Sequence, residues 1–377
     1  MHGVKRLFAW ILPRFDERSF NVSLISLRQP DTSEDPLESL GIPVTYLGRS
    51  KFDPATLPAL LKELDRQKAD VLHLHGYGAS TFGRLAAAWR GLPAIVHEHA
   101  NLTDTPWFQK PPDRVLAPFT DVALAVSRST ADFVTRARLI PAKRTYVVYL
   151  GVPLAEFSRP RTTDEVRAAR AALGIAADVP AVGTVTRLMP SKGNSYFVAA
   201  IPDVLRSVPD ARFYIAGEGE LRSALEAQAQ ELRLGDRLTF LGFQRDVAAV
   251  LSGLDLLVFP SLWEGTPLTV FEALATGKPI VATDADGLAD ILTDGVDARI
   301  VPRHNAAALA AGITALLQDS AIAATLGAAA RRTGATYDID VFVRKMERLY
   351  TLLQTTPRAI RRTGIPRTDL AFLTGPA

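Results

Sequence analysis

Short apolar runs alternate with helical patterns along almost the whole chain, and this alternation constrains the fold more than any other feature of the sequence. A strand, a helix and a second strand return the chain in the same direction, so the pattern predicts an α/β protein with parallel sheets and crossover helices. In the first half the strand candidates are 20–27, 44–47, 71–75, 94–97, 122–126 and 146–150, separated by helical patterns at 56–67, 81–89 and 129–138. The rear half repeats the scheme, with strands at 181–185, 238–242, 254–259 and 279–283 and a further one ending within 214–219. A length of 377 residues is enough for two domains, which the pattern puts at 1–155 and 175–338. An amphipathic helix over 340–353 follows. From Thr355 onward Pro and Arg without periodicity predict a mobile tail, 355–377.

Composition narrows the function. Hydrophobic content of 47% and charged content of 22% are those of a globular protein, and no apolar run reaches the roughly 18 residues of a membrane-spanning helix. The sequence has no Cys, which removes disulfides and thiolate metal sites and suits a cytoplasmic setting. Residues 1–155 carry 19 Lys and Arg against 15 Asp and Glu, residues 156–340 carry 17 against 23, and residues 341–377 carry 7 against 2. Most of this is scattered solvated charge, but the basic front half also suits peripheral contact with an anionic inner membrane face. No Lys/Arg stripe interleaved with aromatics is present, so nucleic acid is not an expected partner.

The chemistry concentrates in LDLLVFPSLWEGTPLTVFEALATG, residues 254–277. An apolar run that reads as a buried strand ends in the turn 260–266, Pro267 suits the first turn of a helix, and Gly277 closes that helix. Glu264 is thereby fixed in the turn and Glu272 one and a half turns into the helix, with the free amides of the first helical turn between them. A second convergence lies in TRLMPSKGNSYFV, where Arg187 and Lys192 flank a turn before a helix, an arrangement suited to a diphosphate.

Glu264 and Glu272, set between that strand and PLTVFEALATGKPIVATD, resemble the paired-glutamate motif of the retaining family-four glycosyltransferases, and Arg187 with Lys192-Gly193 matches the family's phosphate-binding loop. The resemblance implies the GT-B architecture, two Rossmann-like domains facing a cleft. It also implies roles. Glu272 would hold the donor's ribose. Glu264 would lie at the donor sugar, with the backbone of Gly265, Thr266, Pro267 and Leu268 beside it and the amides of that segment other than proline's orienting the sugar. Gly217 would belong to a glycine turn against the donor, and Phe243 would stand beside the nucleotide base. His99 in IVHEH best matches the family histidine at the anomeric region, with His97 as the alternative. The loop Asp284-Ala285-Asp286 carries the only Asp-x-Asp triplet and reads as a loop contact; Asp286 and Asp290 stand where the family often has glycines and a Glu, so sugar preference is expected to differ. At the domain junction only Gly151 of the family's polar motif is kept.

Two readings run against a plain match. The family begins with a strand and a Gly-rich turn, whereas here 4–13 already reads as a helix, so the first strand is expected to be missing from a truncated or misassigned start. The histidines His73, His75, His97 and His99 stand at strand ends; alternate residues share a strand face, and with no third ligand evident no metal is expected, His73 and His75 reading as strand-end packing and hydrogen bonding. Ser127 reads as a helix cap.

The sequence therefore predicts a metal-independent retaining glycosyltransferase with no cofactor. It would move a sugar from a nucleotide-diphospho-sugar to a glycan or lipid-linked acceptor in surface polysaccharide or glycolipid synthesis. The alternatives are a non-catalytic sugar-nucleotide or glycan-binding remnant and a GT-B sugar-nucleotide epimerase.

Overall fold

The computed structural model describes residues 3–30, 37–50, 53–100 and 106–374. The chain divides into two units, unit 1 comprising Met1–Gly151 with Ile339–Ala377 and unit 2 comprising Val152–Asp338.

Unit 1 contains β1 (Leu24–Ser26), β2 (Val44–Tyr46), β3 (Leu72–His75), β4 (Ala94–Glu98), β5 (Val122–Ala125) and β6 (Thr145–Val147). These make two parallel sheets, β1-β2 and β3-β4-β5-β6. β5 is buried at every position, as a central parallel strand covered on both faces must be, whereas β1 and β2 are only half-buried throughout. The helix Gly3–Ile11 opens the described chain, and among the described residues no strand joins β1 to β3. The core is aliphatic, with Leu60, Leu64, Leu74, Val96, Ala123 and Val134.

Unit 2 contains β7 (Ala181–Val185), β8 (Arg212–Ala216), β9 (Leu238–Gly242), β10 (Leu256–Phe259), β11 (Ile280–Thr283) and β12 (Arg299–Val301). All are parallel, in the order β12-β11-β10-β7-β8-β9. This is the doubly wound order, with the sequence direction reversing between β7 and β10, and such sheets bind ligands outside the carboxyl ends of the strands at that reversal. Phe197, Ile201, Phe213, Ile215, Val258 and Ile313 form the core between the sheet and its helices.

Several expectations shift. The strand expected over 20–27 shortens to Leu24–Ser26, and the helix expected from Thr81 starts at Tyr77. Pro267 is the extended residue before the helix Leu268–Thr276 rather than its first turn. Ser127 does cap, its Oγ accepting from the Thr130 amide at 3.0 Å. The segment expected as a mobile tail packs instead. The helix Ile339–Thr355 is followed by the helix Arg358–Thr363, and Ile365, Leu370 and Leu373 are buried. Buried Arg361 donates to Asp121 at 3.3 Å and to the carbonyl of Gly91 at 3.1 Å. Pro and Arg residues hid this, because the anchoring side chains follow no helical or strand period.

Candidate active site

Two loops of unit 2 meet at the reversal between β7 and β10. After β7 the chain runs through Arg187 into the short turn Pro190–Lys192, then through Gly193 into the helix Asn194–Ser207. Gly193 is left-handed (φ +61°), and a Cβ there would sit 2.0 Å from the carbonyl oxygen of Pro260, so only glycine lets this loop approach the end of β10 so closely. The amide of Leu262 donates to the Ser191 carbonyl at 2.8 Å and ties the two loops together.

The approach delivers the Lys192 ammonium to Glu264. Lys192 Nζ lies 2.5 Å from Glu264 Oε2 and also donates to Oε1. Ser261 Oγ donates to Glu264 Oε1 at 2.7 Å, and Ser261 is itself fixed through its carbonyl, which accepts from Thr283 Oγ1 at 2.5 Å. Glu264 is 8% exposed and Glu272, in the helix Leu268–Thr276, is fully buried. Glu264 and the Lys192 ammonium are thus held on loops braced by the sheet and Glu272 on the helix that follows, a geometry suited to a polar ligand carrying both hydroxyls and phosphates.

The other predicted residues stand around this point. Arg187 is exposed and makes no ion pair among the described residues, so its guanidinium is available to an anion. Its carbonyl accepts from Asn194 Nδ2 at 3.2 Å. Gly217 follows β8, its amide donating to the Gly242 carbonyl at 2.7 Å; a Cβ there would lie 1.8 Å from the Thr186 carbonyl oxygen. Phe243 follows β9 and is half exposed. Gly265, Thr266, Pro267 and Leu268 line the turn into the Glu272 helix, and Gly287 packs against the Gly265 carbonyl. Asp284 and Asp286 both face Arg303, at 3.7 and 3.4 Å, and Arg303 donates to the Leu262 carbonyl at 2.8 Å. The Asp-x-Asp triplet is therefore occupied by an arginine that braces the Glu264 loop.

Sequence reasoning passed over Ser261, Arg303 and Asn194. Asn194 is fully buried and its Oδ1 has no hydrogen-bond partner. The only local signal was its place directly after Lys192-Gly193.

His99 belongs to unit 1. It follows β4, is half-buried, and its Nε2 lies 2.8 Å from His75 Nδ1. His97 is buried, with Nδ1 3.1 Å from His73 Nε2, so of the two candidates His99 is the more accessible. Burial lowers the His99 pKa to about 4 and holds His97 well below its ordinary value, with further lowering of His97 from the neighbouring imidazoles. Both rings are neutral near pH 7. Sequence spacing offered no third metal ligand, but pairing β3 beside β4 places one ring nitrogen from each of His73, His75 and His97 within 4.8 Å of the others.

A doubly wound unit joined in the chain to a second parallel α/β unit has the composition of the GT-B fold. The profile of Glycosyl transferases group 1 matches residues 165–333, and that of Glycosyltransferase Family 4 matches residues 1–156. The chain belongs to the family-four, group 1 glycosyltransferases. It is 26% identical over 301 residues to the UDP-Gal:alpha-D-GlcNAc-diphosphoundecaprenol alpha-1,3-galactosyltransferase of Escherichia coli, covering 76% of this chain and 77% of that one. It is also 26% identical over 364 residues to the phosphatidyl-myo-inositol mannosyltransferase of Mycobacterium leprae, covering 90% of each. Among solved structures, Anabaena Alr3699/HepE in complex with UDP superposes with a TM-score of 0.73 at 21% identity, over 84% of this chain and 88% of that one.

Proposed function

We propose that this glycosyltransferase takes a nucleotide-diphospho-sugar at the carboxyl ends of β7 to β10 and transfers the sugar, with retention, to an acceptor hydroxyl in surface polysaccharide or glycolipid synthesis. The observation that carries the reading is the Lys192–Glu264 pair at the sheet's reversal point. Without donor, Glu264 holds the Lys192 ammonium. A bound diphosphate competes for that ammonium, and its loss frees Glu264 to accept hydrogen bonds from sugar hydroxyls. Glu272 takes the ribose, Phe243 stands beside the base, and the amides after Glu264 hold sugar and phosphate.

During transfer the bond between the anomeric carbon and the phosphate oxygen breaks, and the diphosphate departs with the electron pair. Arg187 and Lys192 stabilise the charge that develops there, a role in which fixed cations are worth more than in water. The acceptor oxygen bonds to the anomeric carbon on the face the phosphate leaves, and its proton passes to the leaving phosphate oxygen. Two cations at the diphosphate make a divalent metal unnecessary for this step. In unit 1, His99 is the candidate for substrate contact, as a neutral hydrogen-bonding imidazole.

The named substrates of the two relatives support testing a lipid-linked acceptor first. Unit 1 carries 26 Lys and Arg against 18 Asp and Glu, and exposes Trp107 and Val115 close in sequence to Lys110 and Arg114, and Trp89 next to Arg90. No single helix among the described residues is long and apolar enough to cross a membrane. Apolar and basic side chains together favour peripheral contact with an anionic cytoplasmic leaflet.

The test supplies UDP-, GDP- and ADP-sugars with a sugar-diphosphoundecaprenol or a phosphatidylinositol and measures nucleoside diphosphate release and the anomeric configuration of the product. Release that requires acceptor, with configuration kept, is expected. Conversion of the donor sugar without any acceptor contradicts the transferase reading.

A further inference from the structure

Four histidines stand where β3 and β4 end, and the transfer chemistry calls on at most one of them. The two strands run parallel with His75 opposite His97, so His73, His75 and His97 emerge on one face of the sheet. Their rings lie 4.4 to 5.2 Å apart by centroid, and one nitrogen from each falls within 4.8 Å of the others. We propose that His73, His75 and His97 form a binding site for a borderline transition-metal ion such as zinc, cobalt or nickel, with His99 hydrogen-bonded to His75 beside it.

Geometry carries the proposal. A tetrahedral ion with nitrogens at about 2.0–2.1 Å keeps them about 3.3 Å from one another. His73 Nε2 and His97 Nδ1 already stand 3.1 Å apart, and His75 Nδ1 and His99 Nε2 stand 2.8 Å apart. The remaining pairs of the three lie within 4.8 Å and would have to close on an ion. The support behind the ligands is also present, because Tyr350 hydroxyl lies 2.7 Å from His73 Nδ1 and fixes which nitrogen of that ring faces the cluster.

A donor set of neutral nitrogens with no carboxylate or thiolate selects against magnesium and calcium. The ion would clamp β3 to β4 within unit 1, and it has no part in neutralising the donor diphosphate in unit 2.

The experiment titrates cobalt(II) into the full chain, made without a histidine tag and stripped with a chelator. Expected are visible absorption bands of tetrahedral cobalt that saturate at one equivalent, vanish on adding zinc and persist with magnesium, together with a higher melting temperature. The paired substitution His73→Ala and His97→Ala is expected to abolish the bands while the circular dichroism stays native. Should that variant not fold, Tyr350→Phe decides, since it leaves all four rings and removes only the hydroxyl behind His73. A loss of affinity of about tenfold or more supports the site. Absence of bands in the parent chain overturns the proposal, as do bands unchanged in a folded double variant or in Tyr350→Phe. Chelation is expected to leave nucleotide-sugar affinity unchanged, which separates this site from the donor reading.

Discussion

Unit 2 builds its six strands into one uninterrupted parallel sheet, whereas unit 1, among the described residues, divides six between a two-stranded and a four-stranded sheet. In unit 2, β10 and β11 are buried at every position and the core runs from one side of the sheet to the other. In unit 1 the pair β1-β2 is three residues long on each side and half-buried, and a two-stranded sheet of that size has little stability of its own. Unit 1 depends more on buried charge. Asp113 is fully buried and takes Arg84 at 2.6 Å and Arg138 at 3.0 Å, while Arg138 reaches Glu98 at 3.1 Å. The difference teaches that a unit with one continuous, fully buried sheet has its core laid down by the strands themselves, while its neighbour in the chain adds a buried charge cluster that joins distant positions.

The largest effect expected from this contrast is Asp113→Ala. It leaves two buried guanidinium groups without their shared carboxylate, and breaking buried pairs in this way costs about 3–5 kcal/mol. Chemical denaturation should show unit 1 unfolding at much lower denaturant while unit 2 keeps its transition. A single unchanged transition would remove the claim that charge holds unit 1.

Next comes Lys192→Ala, which acts on unit 2 through its site. A charge-assisted hydrogen bond is worth about 1.5–3 kcal/mol, so kcat/KM should fall on the order of 10- to 100-fold, with the fold of both units kept. Unchanged efficiency and donor affinity would take this loop out of the site. Activity should also survive chelation with EDTA; loss restored by manganese would overturn the metal-free step.

Acid separates the units further. The folded pKa values of His73 and His99 are lowered to about 3 and about 4 from an ordinary 6.5, mainly by burial, so folded unit 1 binds fewer protons than its unfolded chain. Their contribution is fully present above about pH 6.5 and is lost as pH falls toward 4. Melting of the metal-free chain followed from pH 7 to pH 4 should show unit 1 losing stability first; equal loss in both units would contradict this.

The smallest effect is local. Amides of Leu24–Ser26 and Val44–Tyr46 should exchange hydrogen faster than those of Val122–Ala125 and Leu256–Phe259, because their pair is short and half-buried. Equal protection would mean that the split in unit 1's sheet has no energetic consequence.

The same contrast sets what the sequence made legible. Strands such as Val122–Ala125 and Leu256–Phe259 announce themselves because burial on both faces demands unbroken apolar runs. Lys192 and Glu264 were readable because each sits in a short segment whose glycines and prolines declare a turn, although their direct contact was not foreseen. Arg303 bracing Leu262, Arg361 reaching Asp121 and the Arg84–Asp113–Arg138 ties were invisible, since each joins positions far apart in the chain with no periodic mark. The third imidazole near His73 and His75 was hidden for the same reason: it arrives with the pairing of β4.

The account rests on a donor site at the reversal between β7 and β10, and calorimetric titration of the intact chain and Lys192→Ala with UDP-, GDP- and ADP-sugars tests it most directly. One nucleotide-sugar class should bind the parent chain with one-to-one stoichiometry, and Lys192→Ala should weaken that binding on the order of tenfold or more. Binding of equal strength to both proteins, or no binding of any of the three to the parent chain, would contradict it.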